Sequence, residues 1–152
     1  MPNEREQTAE SFWAKWHNNR RLAFAETLNE GSDIQRWILT RNGLNDLAGL
    51  RRWLAPRTRI LDAGCGNGRV TALLQRVAPQ DTSIVGIDMN AADVAAQNLA
   101  DLPNVAVHAR DLLADLSDLG LFDLIYCQEV LHHTADPARS FRNLVSLLAP
   151  GG

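Results

Sequence analysis

The chain has 152 residues, 45% of them hydrophobic and 22% charged, with a formal net charge of -3. That is enough length for one hydrophobic core, and the composition excludes a disordered chain. The slight acidity argues against general affinity for nucleic acid, two cysteines make no disulfide framework, and no apolar run approaches the ~18 residues of a membrane span.

The charge is uneven. Residues 1–59 carry 10 Lys/Arg against 7 Asp/Glu, a net of +3, and residues 60–152 carry 5 against 11, a net of -6. A basic front and an acidic body are either two functional parts or a body with a solvated pair of helices before it. Met1-Pro2-Asn3-Glu4-Arg5-Glu6 is polar and lacks the apolar core of a signal peptide, so a soluble protein of the reducing cytoplasm is the expectation.

Residues 1–8 read as frayed. From 9 to 28 the apolar spacing of Phe12, Trp13, Trp16, Leu22, Phe24, Ala25 and Leu28 is helical, and Gly31 stops it. Ser32 and Gln35 read as a capping box, with Gln35 reaching back to the cap residue. A second helical pattern runs through Ile34, Trp37, Ile38, Leu47, Leu50 and Leu54; Asn42-Gly43 is a candidate break and Pro56 ends it. All four tryptophans (Trp13, Trp16, Trp37, Trp53) lie in this front part, either as packing or as pocket walls.

The pattern then alternates. Strands are predicted over 58–62, 83–88, 105–108 and 122–127, and helices over 68–78, 91–99 and 137–148, with 112–119 a short helix or a loop. Strands separated by helices of this length give a parallel sheet with right-handed crossovers, an α/β doubly wound, Rossmann-like architecture. The domain division this suggests is a helical cap over 1–55 and a sheet domain over 56–152. In such sheets ligands bind beyond the carboxyl ends of the strands.

Those ends carry the chemistry. The first strand ends in Asp62 and the run Gly64-Cys65-Gly66-Asn67-Gly68; the second ends in Asp88; Asp111 follows the third; Gln128, Glu129, His132 and His133 follow the fourth. Alternating glycines permit positive φ and close approach of a ligand. Asp88 lies roughly the ~20 residues past the loop at which an acid meets ribose hydroxyls. The third glycine comes one position early for a dinucleotide fingerprint, and Arg69 takes its place. Asp62 suits an ammonium group or bound water better than a pyrophosphate. The expected ligand therefore has a ribose end and an amino-acid end.

At these residues the chain resembles the class I S-adenosylmethionine-dependent methyltransferases, in their small-molecule branch. Ile60-Leu61-Asp62-Ala63-Gly64-Cys65-Gly66-Asn67-Gly68 is similar to their first motif, and Val85-Gly86-Ile87-Asp88 to their second acidic motif. Residues 122–133 resemble their fourth-strand motif, and Leu147-Leu148-Ala149-Pro150-Gly151-Gly152 the turn into their fifth strand. The resemblance implies a sheet in the order 3-2-1-4-5-7-6, with S-adenosylmethionine as methyl donor, S-adenosylhomocysteine as product and a small-molecule acceptor. It implies that Asp62 and the backbone of Gly64, Cys65, Gly66, Asn67 and Gly68 hold the methionine moiety, and that Asp88 binds the ribose. Met89 would then pack on adenine, Asp111 would accept from its amino group with Leu112 alongside, and Gln128 would lie near the sulfonium.

His132 and His133 are candidates for a general base or for structural roles, and the histidines and cysteines have no metal-site spacing. Cys65 and Cys127 fall at neighbouring strand ends, where unreactive packing is expected over a redox switch. Trp13, Trp16, Arg20 and Arg21 are candidate acceptor contacts. The sequence covers only the first four strands of the family's sheet, which reads as an N-terminal portion of a longer methyltransferase with weak or absent turnover by itself. The fourth strand would then be an open edge inviting self-association. A non-catalytic cofactor-binding fragment and a nicotinamide-dependent oxidoreductase are the alternative readings.

Overall fold

The computed structural model of the chain describes residues 4–152. Four helices lead: α1 (Glu4–Asn18), α2 (Phe24–Leu28), α3 (Asp33–Arg41) and α4 (Leu47–Leu54). Then come β1 (Arg59–Ala63), α5 (Arg69–Val77), β2 (Ser83–Asp88), α6 (Ala92–Asn98), β3 (Val105–Ala109), β4 (Leu124–Tyr126) and α7 (Pro137–Val145). Two 3₁₀ turns, Ser117–Leu119 and Leu131–His133, sit in the connections.

The four strands are parallel in the order β3-β2-β1-β4. The chain steps outward from β1 to β2 to β3, then returns to the other side of β1 for β4. The carboxyl ends of β1 and β4 therefore flank a topological switch point, where loops diverge and leave a crevice. Both sheet faces are covered, so the strands read as near-continuous apolar runs. Ile60, Ile84, Leu124 and Tyr126 share one core with α3, α4 and α5, while Leu61, Ala63, Val85 and Ile87 share another with Leu112, Leu116, Phe122, Leu144 and Leu147.

Several expected boundaries change. The frayed start expected over 1–8 gives way to helix from Glu4, residues 1–3 lying outside the described residues. The single helix expected over 9–28 is two. Ala23 takes φ 52, and the carbonyls of Arg20 and Leu22 accept hydrogen bonds from the Asn67 side chain at 3.2 and 3.0 Å. Asn98 adds a bond to the Arg20 carbonyl at 2.8 Å. These long-range bonds hold the chain out of helix where local propensity would continue it.

Ser32 caps α3 by accepting from the Gln35 N–H at 3.1 Å, as the capping box requires. The return bond differs: Gln35 Oε1 accepts from the Gly31 N–H at 3.1 Å, and its Nε2 donates to the Thr27 carbonyl. Gln35 thus ties the end of α2 to the start of α3. The helix expected over 137–148 stops at Val145, because Leu147 and Ala149 turn to bond the backbone of Phe122 at 2.8 Å each. Among the described residues β4 has no strand partner on its far side beyond that bridge.

Asp123 fastens the entry of β4 to the entry of β1. It accepts from the Thr58 N–H at 2.7 Å, the Thr58 hydroxyl at 2.9 Å and the Arg59 N–H at 3.2 Å. Desolvation opposes its charge, but these bonds outweigh it and hold the pKa below the ordinary value. Asp123→Ala is expected to cost about 1–2 kcal/mol in urea unfolding at neutral pH. A depressed carboxylate stabilises above its unfolded pKa, so the difference from wild type should shrink as pH falls through the acid range.

Candidate functional site

A cleft of ≈ 240 Å³ opens over the carboxyl ends of β1, β2 and β4, with α1 forming its roof. Asp62, at the end of β1, is 3% exposed and accepts from the Thr71 hydroxyl at 2.6 Å. Burial raises its pKa to about 6, the Thr71 bond pulling it down and the nearby Asp88 charge pushing it up. Among the described residues this buried carboxylate has one hydrogen bond and no cation partner, which makes it a receptor for positive charge.

The loop from Gly64 to Gly68 turns on three residues with φ 79, 55 and 84. Its first two N–H groups, of Gly64 and Cys65, donate to the Ile87 carbonyl at 2.8 and 3.0 Å. The space a Cβ would fill is taken by protein: Val130 lies at 2.4 Å from that of Gly64, Trp16 at 2.8 Å from Gly66 and Leu99 at 2.7 Å from Gly68. The glycines therefore serve close packing as well as backbone freedom.

Asp88 spans the loop and the next helix. One oxygen accepts from the Gly66 N–H at 2.9 Å, the other from the Asn90 and Ala91 N–H groups at 2.8 and 2.9 Å. Two carboxylate oxygens offer roughly four lone-pair sites, so about one remains for a ligand. A two-handed grip on a ribose diol requires one backbone bond to yield.

Met89 is 45% exposed beside it. Asp111 accepts from the Leu113 N–H at 2.9 Å, and Leu112 is buried in the neighbouring core. Gln128 sits past β4 against Tyr126 and Asn42. Glu129 follows in the left-handed region at φ 57 and pairs with Arg41 at 2.9 Å. All of these except Asn42 and Arg41 line the cleft, as do Cys65 and Asn67.

Two expected residues stand elsewhere. Gly68 caps α5 behind the loop, and of the two histidines His133 lines the cleft while His132 does not. His133 packs edge-on against Phe12, and desolvation together with the His132 and Lys15 charges lowers its pKa. Asn67 is fully buried, with its side-chain amide committed to the Arg20 and Leu22 carbonyls and its own carbonyl accepting from Asn98 at 2.9 Å.

Of the candidate acceptor contacts only Trp16 reaches the cleft. Trp13 is 53% exposed and stacks on His17, while Arg20 and Arg21 bond Gln97 and Asn98 on α6. Lys15, Arg69 and Tyr126 also line it, and beyond Arg69's place after the glycines no local pattern singles them out. Burial drives the Cys65 thiol up and holds that of Cys127 at about 12, which makes both poor thiolates at neutral pH. Among the described residues no group of three or more His, Cys, Asp or Glu has metal-binding geometry, and no helix is long and apolar enough to cross a membrane.

A parallel sheet of order 3-2-1-4 with a glycine-rich loop and acids at successive strand ends defines a Rossmann-like nucleoside-binding class. Residues 61–152 match the methyltransferase domain family, and the chain belongs to it, among the class I S-adenosylmethionine-dependent methyltransferases. It is 36% identical over 119 residues to the ubiquinone biosynthesis O-methyltransferase of Pseudomonas aeruginosa, covering 72% of this chain and 50% of that one. An uncharacterised Synechococcus protein is 46% identical over 101 residues, covering 63% of this chain and 24% of its own. Among solved structures, the N-methyltransferase NodS of Bradyrhizobium japonicum in complex with S-adenosylhomocysteine shares 26% identity. Its TM-score is 0.63 over 88% of this chain and 70% of that one. The chain spans about half or less of the length of these two curated relatives.

Proposed function

We propose that this chain binds S-adenosylmethionine in the cleft above β1, β2 and β4. We further propose that the protein of which it forms the cofactor half methylates a small-molecule acceptor. The observation that carries the reading is the pairing of a buried Asp62, without a cation partner among the described residues, with a backbone-held Asp88 on either side of the glycine-rich loop. Asp62 supplies the negative charge an α-ammonium needs. Asp88 and the adjoining Met89 suit a ribose and a flat base, with Asp111 and Leu112 at the far end. The loop backbone lies along the amino-acid portion.

The cofactor when bound supplies an electrophilic methyl group. The chain's contribution is orientation and exclusion of water: α1 roofs the cleft, and Trp16 presses on the loop at Gly66. A general base is needed only where the acceptor loses its proton early. His133 is the histidine placed for it, and its lowered pKa favours the neutral, proton-accepting form. Residues 1–55 would act as the helical cap and 56–152 as the cofactor domain. The acceptor is a small molecule rather than nucleic acid, and the setting a reducing cytoplasm, in keeping with two unpaired cysteines. Any self-association we place on the open edge of β4, to be read by sedimentation.

The test is the pH dependence of S-adenosylhomocysteine binding. An ammonium beside Asp62 favours its ionised form, so binding below pH 6 must expel the proton that the free protein holds. Affinity should rise about tenfold between pH 5 and pH 7 and then level off. Asp62→Asn should bind more weakly and lose that slope; a slope unchanged in the variant contradicts the assignment. In the ligand-free chain the sign is opposite. A carboxyl raised from 3.8 to about 6 stabilises the fold at low pH, and that contribution fades as pH rises through 6.

A further inference from the structure

Thr71 has one hydroxyl proton, and the fold commits it. The residue stands in the first turn of α5 and is fully buried. A helical threonine ordinarily returns its hydroxyl to the carbonyl four residues back. Here that carbonyl is Asn67's, and Asn98 Nδ2 at the end of α6 already donates to it at 2.9 Å. The Thr71 hydroxyl donates instead to Asp62 Oδ2 at 2.6 Å, the length of a charge-assisted bond. Gly86, in register with Asp62 on β2, leaves the space beside them open. A Cβ there would lie 3.2 Å from Cys65 Sγ and 3.6 Å from Thr71 Oγ1.

The titratable groups that feel the Asp62 charge are all acids. Asp88 stands at the end of β2, Cys65 in the loop, and Tyr126 and Cys127 at the end of β4. Burial keeps the two thiols and the phenol in their neutral forms, and the Asp88 charge opposes that of Asp62. The cation on α5, Arg69, has Tyr126 and not Asp62 as its electrostatic neighbour. Among the described residues Thr71 is therefore the one group that favours the Asp62 anion before a ligand arrives. Its bond takes Oδ2 and leaves Oδ1 without a protein partner among the described residues, on a side chain that lines the cleft.

We propose that Thr71 is the positioning residue of this acid, holding the Asp62 carboxylate charged and turned so that Oδ1 alone meets the ammonium of the cofactor. The inference deepens the reading above and rests on it. An incoming proton and an incoming ammonium then compete for the same oxygen, and Thr71 sets the pH at which the ammonium prevails. Without the hydroxyl the proton keeps that oxygen closer to neutral pH.

The experiment compares the wild-type chain with Thr71→Val, Thr71→Ala and Thr71→Ser, with circular dichroism as the check on folding. Carbon NMR of the aspartate carboxyls follows the Asp62 titration without ligand, and Asp62→Asn assigns the signal. Calorimetry follows S-adenosylhomocysteine binding at pH 6 and pH 8. Thr71→Val keeps the shape and removes the donor. It should move the Asp62 midpoint up by about one pH unit, weakening S-adenosylhomocysteine about fivefold at pH 6 and less than about twofold at pH 8. Thr71→Ala removes the same donor and serves where the valine chain does not fold. Thr71→Ser restores the donor and should return both readings to the wild-type values. An Asp62 midpoint that stays in place in a folded valine or alanine variant overturns the assignment. Equal weakening at both pH values overturns it too, since a packing role alone has no pH dependence. A wild-type chain that binds no S-adenosylhomocysteine contradicts the cofactor reading and with it the ammonium contact. The ligand-free titration still decides whether Thr71 holds the Asp62 charge.

Discussion

Asp88→Ala should weaken S-adenosylhomocysteine binding by about 100-fold or more, the loss expected when a charged hydrogen-bond acceptor and the shape of its loop go together. The carboxylate organises three backbone N–H groups, of Gly66, Asn90 and Ala91, while facing the cleft. Removing it leaves those donors to water or to nothing, at about 2–4 kcal/mol of stability. Asp88→Asn separates the two effects. It keeps one acceptor oxygen toward the start of α6 and so most of the stability, but it loses the charge that favours hydroxyl donors. Binding retained within about threefold in both variants, with the fold intact, would remove Asp88 from the site.

The second large effect is structural. Gly64→Ala should destabilise the chain by about 2–4 kcal/mol, combining left-handed backbone strain with overpacking. A Cβ there would lie 2.4 and 2.6 Å from the two Val130 methyls, on a residue with φ 79. Val130→Ala in the same chain removes both methyls but leaves the Val130 Cβ at 3.0 Å, so the rescue should be partial. A double-mutant cycle in urea is expected to show coupling of about 1–2 kcal/mol. Strict additivity would mean that the cost comes from the backbone alone.

The parallel sheet and its site acids were legible because both have local signatures. Apolar runs such as Ile84-Val85-Gly86-Ile87 end in Asp88, and alternating glycines after Asp62 allow few other turns. Strand order followed from connection lengths and from the resemblance together. What local pattern could not carry was anything fixed from far away. The break between α1 and α2 depends on Asn67, more than forty residues on, bonding the Arg20 and Leu22 carbonyls. Only the pair Asn18-Asn19, poor helix formers, hinted at it. The same distance effect turned Asn67 from a loop residue into a tie, and sent Arg20 and Arg21 to α6 in place of the cleft. Gln128 was placed near the ligand, but its hydrogen bond from Asn42 comes from 86 residues away.

The most direct measurement is calorimetric titration of the chain with S-adenosylhomocysteine, run beside NADH under the same conditions. The structure predicts one-site, micromolar binding of S-adenosylhomocysteine and none of NADH, since Asp62 and the early third glycine match an amino-acid-bearing nucleoside and not a pyrophosphate. A folded, monodisperse chain that gives no heat with S-adenosylhomocysteine, or that binds NADH in its place, would contradict the account.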